Sequence, residues 1–389
     1  MAKAIPNLRQ QLEQLVACPS VSATDPRLDT GNRGVVELLG AWLETLGFAV
    51  ELMPLEGQPH KANMIATLSS QNSGSSGDGG LILAGHTDTV PYDDGLWQSD
   101  PFKLEERDNR LYGLGSTDMK GFFPLAIEAV KSFADKSLRE PLIILATADE
   151  ETSMAGARAL VKAGRPRARC AVVGEPTGLK PIRMHKGMMM ESVRITGQSG
   201  HSSDPALGAN ALESMHGAIG ELLKLRGEWQ ERYNNPGFAV PVPTVNLGCI
   251  HGGDNPNRIC GSTELQFDVR PLPGMALQDL RAELEQRLHA AVGDGKIRVE
   301  YAPLFLGTEA FEQDAGSELV KAAEKLTGHG AGSVAFGTEA PYFKSLGIDT
   351  IVLGPGDIDQ AHQPDEYLGL ERIEPMVEVL RGLIAKFCL

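Results

Sequence analysis

The sequence predicts an α/β fold: a mostly parallel sheet with a ferredoxin-like β-α-β-β-α-β domain inserted into it. Three observations carry that expectation. Short apolar runs alternate with helix-length amphipathic segments through the first part of the chain, as they do where crossover helices join parallel strands. The pattern changes near Pro181 and reads strand-helix-strand-strand-helix-strand up to residue 301, before the first pattern resumes. The 389 residues also exceed the roughly 250–300 at which a single core stops growing. The expected division is 1–181 with 302–389 as one domain and 182–301 as the insert.

Leu8, Leu12 and Leu15 recur at helical spacing, which predicts a helix over 7–17 that Pro19 stops. A second amphipathic helix is expected over 33–46, closed by Gly47, with a strand over 48–53 behind it. The Gly/Ser-rich stretch 72–80 reads as a loop. A buried strand over 81–85 follows, then an acidic turn over 92–97. Gly113-Leu114-Gly115-Ser116-Thr117-Asp118-Met119-Lys120-Gly121 opens a helix over 119–134. A strand over 142–148 runs into Asp149-Glu150-Glu151 and a helix over 154–163. The next strand, 170–174, ends in Glu175-Pro176. In the insert, strands are expected over 188–196, 244–250, 261–269 and 296–301, with helices over 209–226 and 276–292. Met188-Met189-Met190 there reads as packing in the first strand. A helix over 315–326, a strand over 349–353 and a helix over 371–387 complete the first domain.

Composition narrows the function. A net charge of −15 would repel the phosphates of a nucleic acid. Five cysteines without a C-x-x-C pair read as reduced thiols rather than a disulfide framework. The first residues lead into a polar segment with no apolar signal region, and no run approaches the roughly 18 apolar residues of a membrane helix. A cytoplasmic protein with a small-molecule ligand, and neither nucleic acid nor membrane as partner, is expected.

The chemistry sits just past the apolar runs. Residues two apart on extended backbone face one side. His86 and Asp88 therefore suit a metal ligand and the carboxylate that orients it. Asp118, Glu150, Glu151, Glu175 and His362 stand in the same way beyond apolar runs or glycine turns. Open α/β sheets bind ligands outside the carboxyl ends of their strands, so these side chains are expected to converge. Converging carboxylates repel and raise one another's pKa values; two divalent cations remove the conflict. With two imidazoles the donor set is mixed N/O, which suits Zn²⁺ and also Co²⁺. One carboxylate would bridge the ions, and one acid is left over as general base. The competing reading makes each residue a cap or a solvated acid; Asp118 is placed to cap the helix that follows it.

Gly85-His86-Thr87-Asp88, Gly115-Ser116-Thr117-Asp118-Met119-Lys120-Gly121, Asp149-Glu150-Glu151, Gly174-Glu175-Pro176 and His362, in that order, resemble the metallopeptidase family M20, and the likeness covers nearly the whole length. The resemblance implies a zinc-hydrolase catalytic domain with two Zn²⁺ per subunit and an insert serving as lid and dimerisation domain of a homodimer. It implies one zinc on His86 and Glu175, the other on Glu151 and His362, and Asp118 bridging. It implies that Asp88 orients His86 and that Glu150 is the general base. Stretches 84–97, 145–158, 197–213, 251–275 and 353–368 are similar to the family's bacterial deacetylases. That likeness implies hydrolysis of N2-acetyl-L-ornithine to L-ornithine and acetate in arginine biosynthesis. His201, between Gly200 and two serines, is the expected lid donor to the developing oxyanion, supplied to the partner subunit's site. Asn257-Arg258 is the expected clamp for the substrate's α-carboxylate. Glu339, in Gly337-Thr338-Glu339-Ala340-Pro341, stands where the family's desuccinylases resemble Gly-Thr-Ser-Asp, and a buried acid there would suit the δ-ammonium of ornithine. Desuccinylase, aminoacylase and glutamate carboxypeptidase readings share the metal set. A silent zinc- or amino-acid-binding homologue would have no need of Glu150.

Overall fold

The structure, a computed structural model, describes residues 5–70, 79–93, 95–133, 136–292 and 295–389. Residues 72–78 of the Gly/Ser-rich loop, Asp94 of the acidic turn and Ala134 at the expected helix end lie outside the described residues. The chain divides into two units. One comprises Met1–Arg183, Gln313–Gly332 and Thr338–Leu389; the other comprises Met184–Glu312 and Ser333–Gly337. Residues 302–312, expected in the first unit, belong to the second. The strand Arg298–Pro303 keeps its register to Pro303 opposite Glu191, and Leu304 N–H still donates to Met190 O (2.8 Å).

In the first unit, Leu81–His86 and Leu142–Thr147 are buried at every position, which is why both read as unbroken apolar runs. They pair in parallel, with His86 opposite Thr147. Cys170–Val173 lies parallel to Leu81–His86 on its other side, and Asp349–Val352 lies parallel to Cys170–Val173. The opposite flank is antiparallel. Gln58–Leu68 pairs with Leu142–Thr147, and Ala49–Leu55 pairs with Gln58–Leu68. Gln58–Leu68 was not expected from the sequence. Its polar start, Gln58-Pro59-His60-Lys61, hides the buried stretch that runs from Lys61 to Ala66. Parallel strands share one direction, so His86, Thr147 and Val173 finish at one edge of the sheet, and each is followed by candidate residues.

Phe122, Phe123 and Ile127 of the helix Phe122–Lys131 share a core with Leu380, Leu383 and Ile384 of the helix Ile373–Cys388 and with the parallel strands. Gly85 permits a close approach there: a Cβ would lie 2.4 Å from the Met119 methyl. A small sheet of Tyr367–Gly369, Arg110–Tyr112 and Glu105–Arg107 ties the segment after His362 to the segment before Asp118.

The second unit is an antiparallel sheet in the order Thr244–Gly252, Ser262–Arg270, Met189–Thr196, Arg298–Pro303. Helices Ala211–Arg232 and Leu277–Val292 contribute Met215, Leu222, Leu284 and Leu288 to a core with Val193, Ile195, Leu265 and Phe267. Chain order and pairing are those of a β-α-β-β-α-β ferredoxin-like unit. Met189 is buried in this core while its neighbour Met190 is exposed, as strand alternation requires. No helix among the described residues is long and apolar enough to cross a membrane.

Candidate metal centre

His86 closes its strand and is 1% exposed. Its Nδ1 lies 2.9 Å from the main-chain oxygen of Asp88. A carbonyl only accepts, so Nδ1 carries the proton and Nε2 is the nitrogen left for a cation. The orienting group is thus the Asp88 carbonyl; the Asp88 carboxylate stands 3.9 Å from Nδ1. Its other oxygen accepts the Glu151 N–H at 3.1 Å.

Asp118 does not cap a helix. The helix starts at Phe122, behind Gly121, with no side-chain cap bond. Gly115 at φ +80° turns the chain ahead of Asp118, a backbone state glycine adopts without steric cost. The buried Glu366 carboxylate holds this loop by accepting the N–H groups of Gly115 (2.9 Å), Thr117 (2.7 Å) and Asp118 (2.9 Å). Sequence reasoning missed Glu366, because Pro364-Asp365-Glu366 reads as an ordinary loop and only the small sheet brings it here.

The side chains meet around Asp118. One group of potential ligand atoms, from His86, Asp118 and Glu175, lies within 4.8 Å of one another; so does a second, from Asp118, Glu151 and His362. His86 Nε2 is 3.0 Å from Asp118 Oδ1 and 3.8 Å from Glu175 Oε2. His362 Nε2 is 3.4 Å from Asp118 Oδ2 and 3.1 Å from Glu151. Asp118 is common to both groups. A third group, His86, Glu150 and Glu151, also fits within that distance, so ligand geometry does not by itself separate Glu150 from the ligands.

The electrostatics favour a cation. Burial raises Glu150 well above the usual carboxyl range, and the charges of Glu175 and Glu151 add to it. Burial and Asp118 push Glu151 up to about 7. Burial also raises Glu175, against the pull of His86. The bonds to Asp118 and Glu151 push His362 up to about 10. Burial opposes charge on His86, yet Glu175 and Asp118 outweigh it and raise the imidazole well above its ordinary value. Both imidazoles thus hold protons where they face the carboxylates, at the places a metal would take. The donor set of two nitrogens and several carboxylate oxygens fits divalent metal ions.

His201, Asn257 and Arg258 belong to the second unit and are exposed. His201 bridges to Arg258 along the backbone, and its Nδ1 lies 2.7 Å from Ser203 Oγ. Asn257 O accepts the Ser202 N–H at 3.1 Å, and the Arg258 guanidinium pairs with Asp254. Glu339 belongs to the first unit and is 0% exposed. Its Oε2 lies 2.7 Å from Thr147 Oγ1, and its Oε1 has no hydrogen-bond partner among the described residues. Burial pushes it up to about 8.

A family model described as peptidase family M20/M25/M40 matches residues 82–386. The chain belongs to this family. Among its curated relatives, an acetylornithine deacetylase from Edwardsiella ictaluri is 51% identical, covering 100% of both chains. Another from Pasteurella multocida is 48% identical over 99% of each. An M20 metallo-carboxypeptidase from Sulfolobus solfataricus superposes with a TM-score of 0.74 at 18% identity, over 97% of this chain and 98% of that one. The aminopeptidase PepT of Bacillus cereus gives 0.74 at 19% identity, over 98% of each. The M20 fold is therefore that of the whole chain, and its strand edge carries the acid and imidazole cluster.

Proposed function

We propose that the chain is a metal-dependent amidohydrolase that cleaves N2-acetyl-L-ornithine to L-ornithine and acetate. The chemistry rests on one observation: two ligand groups share Asp118, with Glu150 beside them. The substrate rests on the full-length relatives that are named for it. His86 and Glu175 would hold one ion, Glu151 and His362 the other, and Asp118 both. Zinc is the proposed metal, two ions per subunit, and cobalt suits the same donors. When bound, such a pair supplies charge neutralisation and Lewis acidity for an amide carbonyl. Glu150 takes the proton of the attacking water and returns it to the leaving amine. Asp88 keeps His86 in the tautomer that presents Nε2, through its main-chain oxygen. His201 is proposed as the oxyanion donor that one copy of the chain lends to another in a homodimer. Asn257 and Arg258 are proposed to take the substrate's α-carboxylate, with Arg258 exchanging its Asp254 partner for it. Glu339 is proposed to bind the δ-ammonium of ornithine as its carboxylate, giving up the proton that burial lets it keep. The place of action is proposed to be the cytoplasm.

The test is amine release by zinc-loaded protein from N2-acetyl-L-ornithine beside N-succinyl-LL-diaminopimelate. A kcat/KM at least about tenfold higher for the acetyl substrate is expected. Preference for the succinyl substrate would overturn the assignment while keeping the metal chemistry. Turnover of neither, with two metals bound, would overturn both.

A further inference from the structure

The strand Gln58–Leu68 does more than extend the sheet. Its pairing with Leu142–Thr147 begins at Met64 opposite Ala146. The residues before Met64 run on past that partner. Two of them, Lys61 and Asn63, stand two apart, so their side chains leave the strand on the same side. Both are buried, and both grip the segment that follows Leu142–Thr147.

Asn63 holds the backbone of that segment at two points. Its Oδ1 accepts the Ala148 N–H at 3.1 Å, and its Nδ2 donates to Gly156 O at 2.9 Å. Lys61 holds it by charge. Its ammonium pairs with Asp149 and, at 2.5 Å, with Asp29. Asp149 has φ +62°, a left-handed state that non-glycine residues seldom adopt and that the surroundings must stabilise. Its carboxylate also accepts Ser22 Oγ–H at 2.7 Å and the Ser153 hydroxyl. Its main-chain oxygen accepts the N–H groups of Ser153 (3.1 Å) and Met154 (2.7 Å). The next two residues are Glu150 and Glu151. The direction in which they leave the turn is set at Asp149.

We infer that Lys61 and Asn63 are positioning residues for hydrolysis: the Lys61–Asp149 pair and the two Asn63 bonds fix the left-handed turn that aims Glu150 and Glu151 at the metal centre. The inference rests on the hydrolytic reading above and adds the device that holds its general base. Among the described residues, the bonds of Lys61 and Asn63 go to the turn and its neighbours and not to the metal ligands, and neither residue belongs to a motif of the sequence.

The experiment compares Lys61→Met, and Lys61→Met with Asp149→Asn, against the wild type. Three quantities are read: turnover of N2-acetyl-L-ornithine, the affinity for each of two Co²⁺ ions by chelator competition, and the thermal midpoint. Lys61→Met is expected to lower kcat roughly 10–100-fold with KM within about twofold. It should weaken one Co²⁺ by about tenfold and spare the other, because Glu151 leaves the turn while His86 and Glu175 do not. The double variant removes the more deeply buried of the two carboxylates that lose the ammonium, so its midpoint should return part of the way to wild type while kcat and the weakened Co²⁺ stay impaired. If folded Lys61→Met keeps wild-type turnover and both affinities, the inference is wrong. If the double variant regains turnover and affinity together with stability, the pair serves folding alone and the inference also falls. A wild type that binds two Co²⁺ and hydrolyses nothing would remove the hydrolytic reading, and the Co²⁺ affinities would still decide the clamp.

Discussion

Glu150 shares the neighbourhood of His86 with Glu151 but makes none of the His362 contacts that Glu151 makes. Loss of Glu150 should therefore separate metal binding from chemistry. Glu150→Ala is expected to keep two metals, by elemental analysis, and to lose roughly 10²–10⁴-fold in turnover. Loss of one metal would make Glu150 a ligand, and a near wild-type rate would end its role as base. Glu339 bears on pH. Thr147 Oγ1 lies 3.1 Å from Gly85 O and 2.7 Å from Glu339 Oε2. A hydroxyl has one hydrogen, and the carbonyl can only accept, so both bonds form together only if Glu339 supplies a proton. Burial agrees, pushing its pKa from 4.5 to about 8. A raised acid binds its proton in the folded state where the unfolded chain has lost it, so its contribution to stability falls as pH rises from about 5 to 8. In chelator-treated protein, Glu339→Gln should lack that fall and gain roughly 2 °C or more on wild type at pH 8.5. Parallel midpoint-against-pH curves would contradict the neutral acid. Among residues, those of ligand chemistry were legible because His, Asp and Glu at strand ends are few. Glu366, Lys61 and Asn63 were not legible, since an ordinary acid, lysine or amide acquires its role only from the loop that the fold brings to it.

Elements were readable where one environment surrounds them. Leu81–His86 and Leu142–Thr147 are buried throughout, and their apolar runs announce it. The helix Glu318–Thr327 carries Ser317 as N-cap, bonded to Val320 N–H at 3.2 Å, and Gly328 at its end, signals that belong to the local chain. Gln58–Leu68 escaped because it changes task midway. From Met64 it is a sheet strand; before that it buries a lysine and an asparagine as clamps. Polar residues committed to a buried network look solvated in sequence, and the charge that Asp149 supplies to Lys61 is 88 residues away. The strands Glu105–Arg107, Arg110–Tyr112 and Tyr367–Gly369 have three residues each, too short for periodicity to register. Yet they are what delivers Glu366 to the Asp118 loop. The expected helix over 119–134 began three residues early because Asp118 looked like a cap, whereas its carboxylate faces His86 and His362.

At the scale of the whole molecule, the change of strand pattern near Pro181 was visible because an antiparallel α+β unit alternates differently from a parallel sheet. The return was harder to place: Arg298–Pro303 keeps its register in the second unit's sheet as far as Pro303, past the expected boundary at 302, and the division itself falls at Glu312. The proposed base, Glu150, is in the first unit, and the proposed oxyanion donor, His201, is in the second. If a homodimer builds each site from the first unit of one copy and the second unit of another, the two functions can be lost in different chains and recovered by mixing. Glu150→Ala and His201→Ala homodimers should each be nearly inactive. After subunit exchange, half of the dimers are mixed, and each mixed dimer has one site with both residues intact. About one quarter of wild-type specific activity is then expected. The mixed species is verified by carrying different affinity tags on the two variants and purifying through both. Recovery would establish donation between copies. A doubly tagged dimer with no recovered activity would place His201 outside the partner's chemistry, and a protein that stays monomeric throughout would remove the shared site altogether.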